Sequence, residues 1–357
     1  MDFFEKNSEL LNDFSAMSLD LGSRYDYVQG GGGNTSVKLS DGLMAIKASG
    51  FCLKDITPST AYAVLDGEKL KNFYISHNAG EFEDVEKSGS TMAKECTKEI
   101  DGLEKLRPSV EAGFHSLLMR FVAHTHSVYG NLISCAANGR ELLDKAMQGA
   151  EYSYGFVKYV NPGAKLTFAV KDEIARVEKA TGKKPSVLLM ENHGLIANDE
   201  NAKRCVELHA DANRRMAGIF GLNGNDFPDV ELKKQGGMLI SDTPYLIEAL
   251  KSGKFSGEVL LRQPLYPDQL VFLNGTLFLD REPEKGTCVL DTSTGKVTYN
   301  MGEGQARVIE ETLTAVTFIV NTIEKSGNKV QYMGEAAKDF IANWESEKYR
   351  KTLSAKK

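Results

Sequence analysis

Along the first 25 residues, Phe3, Phe4, Leu10, Leu11 and Phe14 recur at helical spacing among charged and polar positions, which predicts an amphipathic helix. The spacing then shortens. Residues 36–39 and 43–47 read as two strands around the turn residues Ser40-Asp41-Gly42, with a further short strand at 62–65. The stretch 78–102 is polar and charged and reads as loop and surface helix. A helix is expected from near Ser109, followed by a short strand over FVAHTHS, and residues 185–194 read as a buried strand ending in a turn. Asn198-Asp199 is expected to cap a helix whose apolar side carries Ala202, Cys205, Val206, His209, Met216, Ile219 and Phe220. GLNGNDFPD (221–229) has the composition of a linker. Beyond it the pattern predicts short strands near 270–279, a hairpin over TCVLDTSTGKVTY, and helices at about 305–325 and 334–344. Short strands interleaved with helices fit an α+β or layered α/β/α plan.

At 357 residues the chain has room for two domains, or one large domain with an extension, and the expected division is 1–222 and 223–357. With 43 Lys plus Arg against 49 Asp plus Glu, the net charge is −6. That is the wrong sign for a dedicated nucleic-acid binder. The five cysteines (Cys52, Cys96, Cys135, Cys205, Cys288) are odd in number, widely spaced and without a C-x-x-C pair. They read as reduced thiols rather than a disulfide framework or thiolate zinc site. The start, MDFFEKNSELLND, lacks the basic and apolar regions of a signal peptide, and no window approaches a membrane span. A cytoplasmic enzyme without a membrane partner is the expectation.

The sharpest chemical feature is His124-Thr125-His126. On a strand, residues i and i+2 project from one face, so both imidazoles can converge on one metal ion. His193 sits at a strand-to-turn corner, Glu191-Asn192-His193-Gly194, and supplies a third imidazole. Three histidines with an open fourth position suit a catalytic zinc. Glu111, in the first turn of the helix leading into the H-T-H strand, is the candidate proton carrier in the same cleft. His115 and His209 read as packed core histidines, and His77 as a solvated loop residue. The run Gly30–Gly33 is neither a P-loop nor a dinucleotide fingerprint. Its backbone N–H groups, with Asn34 and Thr35 as side-chain donors, can nevertheless approach an anion, and a plain glycine turn before a hairpin explains the run equally well. Ser49-Gly50 ends the hairpin in the same manner.

GGGNTS (31–36), Ala48-Ser49-Gly50, Pro108-Ser109-Val110-Glu111 with His115 four residues on, H-T-H, Tyr159-x-x-Pro-Gly and N-H-G occur in an order and spacing that resemble the class II aldolase/adducin family over residues 25–220. PDQLVFL (267–273) and ANWESEKYRKTLS (342–354) resemble a subgroup, the aldolase portion of bifunctional rhamnulose-phosphate aldolase/short-chain dehydrogenases. In that subgroup a Rossmann dehydrogenase follows, and with Lys357 the last residue the aldolase half alone is expected. The resemblance implies a three-layer α/β/α domain with a mostly antiparallel central sheet, an α+β C-terminal extension, one zinc per subunit at a subunit edge, and commonly a homotetramer. It matches His124, His126 and His193 to the metal ligands and Glu111 to the catalytic acid/base. Tyr159 matches the tyrosine that protonates the leaving alkoxide, and Asn34, Ser49, Gly50 and Ser109 match positions around the donor phosphate. Short-chain members carry two hydroxyl residues before the glutamate, whereas this chain has Ser109 and then Val110.

The activity implied is cleavage of a ketose 1-phosphate to dihydroxyacetone phosphate and an aldehyde through a zinc-stabilised enediolate, with L-rhamnulose 1-phosphate the sugar the subgroup points to. The same site logic serves 4-epimerases of pentulose phosphates and decarboxylases of phosphorylated keto acids. Two further readings stand beside it: a non-catalytic adducin-like interaction protein, which loss of the ligand histidines or the glutamate would support, and a zinc hydrolase using the same ligands.

Overall fold

The computed structural model describes residues 2–343. The strands of the first sheet are β1 (Asn34–Lys38), β2 (Leu43–Lys47), β3 (Tyr62–Asp66), β4 (Phe121–Thr125), β5 (Tyr154–Val157), β6 (Val187–Met190) and β7 (Gly194–Asp199). They run in the order β3-β2-β1-β4-β7-β6-β5, antiparallel throughout except for the β5–β6 pair. The helices of this region are α1 (Phe3–Gly22), α2 (Gly67–Ser76), α3 (Val85–Cys96), α4 (Ala112–Leu117), α5 (Val128–Ser134), α6 (Gly139–Ala146), α7 (Ala164–Thr181) and α8 (Ala202–Ile219).

The two-residue period of the strands sorts their side chains into two cores. Val37, Ala45, Phe121, Ala123, Leu195 and Ala197 join the core under α1, α5 and α8. Met44, Ile46, Val122, Leu188 and Ile196 point the other way, under α2, α4 and α7. This is the three-layer α/β/α arrangement. The register pairs Asn34 with His124 across β1–β4 and His124 with Ile196 across β4–β7, so Asn34 and His124 share a face at the middle of the sheet.

Beyond residue 222 lie β8 (Leu232–Gln235), β9 (Met238–Ser241), α9 (Pro244–Lys251), α10 (Pro267–Leu273), β10 (Leu277–Leu279), β11 (Thr287–Asp291), β12 (Lys296–Asn300), α11 (Glu303–Lys325) and α12 (Glu335–Asn343). The five strands form a second sheet, β10-β11-β12-β9-β8. The apolar core under α1, α5 and α8 runs on without a break into Leu246, Tyr266, Tyr299, Leu313 and Ile319. No helix among the described residues is long and apolar enough to cross a membrane.

Three local expectations are corrected. Of the short strands expected near 270–279, Leu277–Leu279 is one, while 270–273 belong to the helix Pro267–Leu273: Pro267 sits at the first helical position, where its missing N–H costs nothing. Asn198 and Asp199 end β7, and Asn201 caps α8 by accepting the Arg204 N–H at 3.0 Å. The helix expected near Ser109 begins at Ala112, with Glu111 in the cap position. Trp344, and the resemblance to ANWESEKYRKTLS from that residue on, lie outside the described residues.

Candidate metal centre

β4 ends in the histidine pair, and the N-H-G corner between β6 and β7 brings in the third imidazole. That corner is built from two different backbone demands. Asn192 has φ +50°, a left-handed conformation that asparagine tolerates better than most side chains, and its amide donates to Leu265 O and Gln331 O, both at 2.8 Å. Gly194 leaves room for β4, since a Cβ there would lie 2.3 Å from Thr125 O and 3.2 Å from both His124 Cε1 and His126 Cδ2. His193, between them, is aimed at the pair.

The result is a cluster whose ligand atoms all lie within 4.8 Å of one another, at 0%, 4% and 3% exposure for His124, His126 and His193. His124 Nδ1 faces Leu195 O at 3.1 Å, and His126 Nδ1 faces the Asp268 carboxylate. Both partners accept only, so both Nδ1 atoms carry the proton and both Nε2 atoms present bare lone pairs. Those two Nε2 atoms are 3.2 Å apart. Burial holds His124 neutral, its pKa lowered to about 3. The Nδ1 of His193 is buried without a hydrogen-bond partner. Converging lone pairs in a buried pocket repel unless a cation lies among them. A nitrogen donor set of this kind fits zinc better than magnesium, which takes oxygen ligands.

Glu111 stands over the cluster. Its Oε2 accepts the Asn34 amide at 2.7 Å and lies 3.5 Å from His124 Nε2. Its Oε1 lies 3.2 Å from His193 Nε2 and has no hydrogen-bond partner. Burial pushes the carboxyl pKa up, but the charge interaction with the His124 and His193 imidazoles and the hydrogen bond from Asn34 outweigh it and leave the group well below its ordinary value. Its side chain caps nothing, so it is available to the site.

The other expected residues divide by strand face. Asn34 donates also to Ser109 Oγ at 3.1 Å, and its carbonyl accepts from His115, which is held in turn by Ser36 at 2.7 Å. His115 is thus a core residue that orients Asn34. Ser109 lies within this network; the backbone N–H of Ser49 instead donates to Arg107 O at 2.9 Å, with Gly50 turning the chain at φ +89°. Thr35, one residue from Asn34, faces the opposite side and meets Ser18 under α1 at 2.7 Å. Tyr159 is not among the groups touching the histidines: its hydroxyl donates to Asn161 Oδ1 at 3.3 Å, while its backbone N–H donates to Glu191 Oε2 at 3.0 Å, two residues from His193. His209 is a core residue as expected, bonded to Thr125 at 2.7 Å. His77 is half-buried instead of solvated, its ring 5.2 Å from Phe73 and 5.5 Å from Phe82.

Two groups at the site were not anticipated. Lys47 is buried and its ammonium bridges Gly31 O (3.0 Å) and Phe51 O (2.7 Å), tying the glycine run to the turn after β2. Asp268 comes from α10, and only the long-range fold brings it to His126. The glycine run itself is wedged rather than open. Gly33 has φ +65° and a Cβ there would lie 2.5 Å from His124 O, while the Gly30 N–H is taken by Glu311 Oε2 at 3.1 Å.

Among solved structures, the N-terminal class II aldolase domain of a conserved protein from Thermoplasma acidophilum is 20% identical, with 58% of this chain and 92% of that one covered and a TM-score of 0.48. L-fuculose-1-phosphate aldolase from Thermus thermophilus is 15% identical (60% and 94% covered, TM-score 0.37), and a sugar-phosphate aldolase from Thermotoga maritima is 14% identical (60% and 94%, TM-score 0.40). No curated protein matches the chain. The family model described as the class II aldolase and adducin N-terminal domain matches residues 12–216, more than half of the chain, and the protein therefore belongs to that family.

Proposed function

We propose that the chain is a metal-dependent aldolase that joins or separates dihydroxyacetone phosphate and an aldehyde, with a 6-deoxy ketose 1-phosphate such as L-rhamnulose 1-phosphate as the cleaved substrate. The observation that carries this reading is the unpartnered Oε1 of Glu111, an ionised carboxylate oxygen buried at the mouth of a three-imidazole cluster. A carboxylate so placed is a proton carrier with no competing structural duty.

His124, His126 and His193 would hold zinc, which would supply Lewis acidity for a ketone oxygen and lower the cost of negative charge beside it. Glu111 takes a proton from the hydroxymethyl carbon of dihydroxyacetone phosphate, and the freed electron pair forms the new C–C bond to the aldehyde carbon. Tyr159 gives its hydroxyl proton to the aldehyde oxygen. Burial raises the Tyr159 pKa, which keeps that proton on the phenol at neutral pH. Cleavage is the reverse sequence. Asn34 aligns Glu111, and the phosphate is held by the turn that carries Ser49 and Gly50, beside Ser109 and the buried Lys47 ammonium. Thr35, turned toward α1, buttresses β1 in this scheme. The active form is a homotetramer.

Incubating the purified, zinc-loaded protein with a panel of ketose 1-phosphates tests the proposal, the expected product being dihydroxyacetone phosphate with the matching aldehyde. A panel that releases no aldehyde, with epimerised pentulose phosphate or carbon dioxide from a keto acid instead, would replace aldol cleavage by one of the other reactions the family site serves.

A further inference from the structure

The family model ends at residue 216, yet the histidine cluster is touched by a side chain from beyond it. Asp268 is 0% exposed, and its Oδ2 meets His126 Nδ1. A carboxylate is costly to bury unless it meets a proton donor, and the imidazole N–H is such a donor. The contact is one that the glycine run accommodates. Gly32 has no positive φ that would call for glycine, but a Cβ there would lie 2.2 Å from Asp268 Oδ2 and 2.9 Å from His126 Nδ1. The absence of a side chain at position 32 therefore serves the carboxylate–imidazole pair. The same C-terminal region fixes the corner carrying His193, through Leu265 O and Gln331 O on the Asn192 amide.

We propose that Asp268 is the positioning residue of the metal centre, and that the C-terminal extension completes the family domain's site by supplying it. The carboxylate accepts the His126 Nδ1 proton, fixes the ring plane and leaves Nε2 bare toward His124 and His193. In metal sites an outer partner of this kind makes the ligand more basic and holds its tautomer. The proposal rests on the reading of the three histidines as a metal site, and the test is arranged so that the two fail separately.

The first measurement needs no metal. Long-range ¹H–¹⁵N spectra of the histidine side chains in the metal-free full chain report which ring nitrogen of His126 is protonated. The wild type should show the Nδ1–H form with a downfield-shifted proton, and Asp268→Ala should lose that signal. A wild-type His126 protonated on Nε2 would overturn the proposal whatever the fate of the metal reading.

The second measurement is zinc affinity by competition with a chromophoric chelator. Asp268→Ala should bind zinc about 10- to 100-fold more weakly than wild type, with Asp268→Asn, which keeps an acceptor for Nδ1–H, recovering part of the loss. Gly32→Ala keeps the carboxylate but pushes it off the imidazole, so it should reproduce the loss and serves as the arm to read if Asp268→Ala does not fold. Unchanged affinity in both Asp268→Ala and Gly32→Ala overturns the positioning role. A wild type that takes up no zinc, while its His126 signal is as expected, overturns the metal reading instead.

Discussion

Glu111 and Glu310 are both nearly removed from solvent, at 5% and 0% exposure, yet their surroundings have opposite consequences. Glu310, on α11, is closed on both sides: Ser241 Oγ donates to Oε1 at 2.6 Å and the Tyr299 hydroxyl donates to Oε2. Burial raises its pKa, and hydroxyl donors only partly offset that. Glu111 has one oxygen on Asn34 and the other without a hydrogen bond, 3.2 Å from His193 Nε2, beside imidazoles that stabilise its charge. Burial of a carboxylate is therefore no sign of function by itself. A carboxylate oxygen left without a hydrogen bond at the edge of a buried three-imidazole cluster is such a sign, because a fold gains nothing structural from leaving it unmet.

The largest effect expected from breaking this contrast is at the cluster. His193→Ala should abolish stoichiometric zinc uptake and with it the activity, measured by metal analysis of purified protein. Full occupancy in that variant would remove His193 from the ligand set. Glu111→Gln comes next. It should keep the fold and the metal but lose about 100-fold or more in turnover, because the amide preserves shape and cannot carry the proton. Near-normal turnover would make Glu111 as structural as Glu310.

Glu310→Gln should leave turnover and zinc uptake unchanged and cost only about 1 kcal/mol of stability, read from denaturant unfolding. Its informative signature is in pH. The folded-state pKa of Glu310 lies above its ordinary 4.5, so between the two values the native protein keeps a proton that the unfolded chain has lost. That contribution is fully present below 4.5 and is lost as pH rises through the folded-state pKa. The wild type should therefore lose stability across that window more steeply than Glu310→Gln, and equal slopes would mean that the carboxylate is not held in its neutral form.

The same contrast shows what could be read before the fold was known. The β1–β2 pair, β4 and α1 follow from local periodicity, and H-T-H and N-H-G announce imidazoles at strand ends, so the cluster was legible from short spacings. Thr35 and Asn34 were both legible as donors, but only the register, which pairs Asn34 with His124, decides that one faces the cluster and the other Ser18. The apolar run Leu270-Val271-Phe272-Leu273 fits a strand or a helix equally, and Pro267 at the helix start settles it. Asp268 had no local signature. Its meeting with His126 spans 142 residues of chain, and a contact of that range leaves its trace only at Gly32, where a missing side chain makes the room.

The central claim, that a metal-loaded histidine cluster works together with Glu111 to move a proton at carbon, is tested most directly by solvent hydrogen exchange into dihydroxyacetone phosphate, followed by NMR in deuterium oxide. The zinc-loaded wild type should wash deuterium stereospecifically into the hydroxymethyl carbon, and the rate should collapse in Glu111→Gln and in the chelated protein. Exchange at the wild-type rate in Glu111→Gln, or no exchange by the zinc-loaded wild type, would contradict the account.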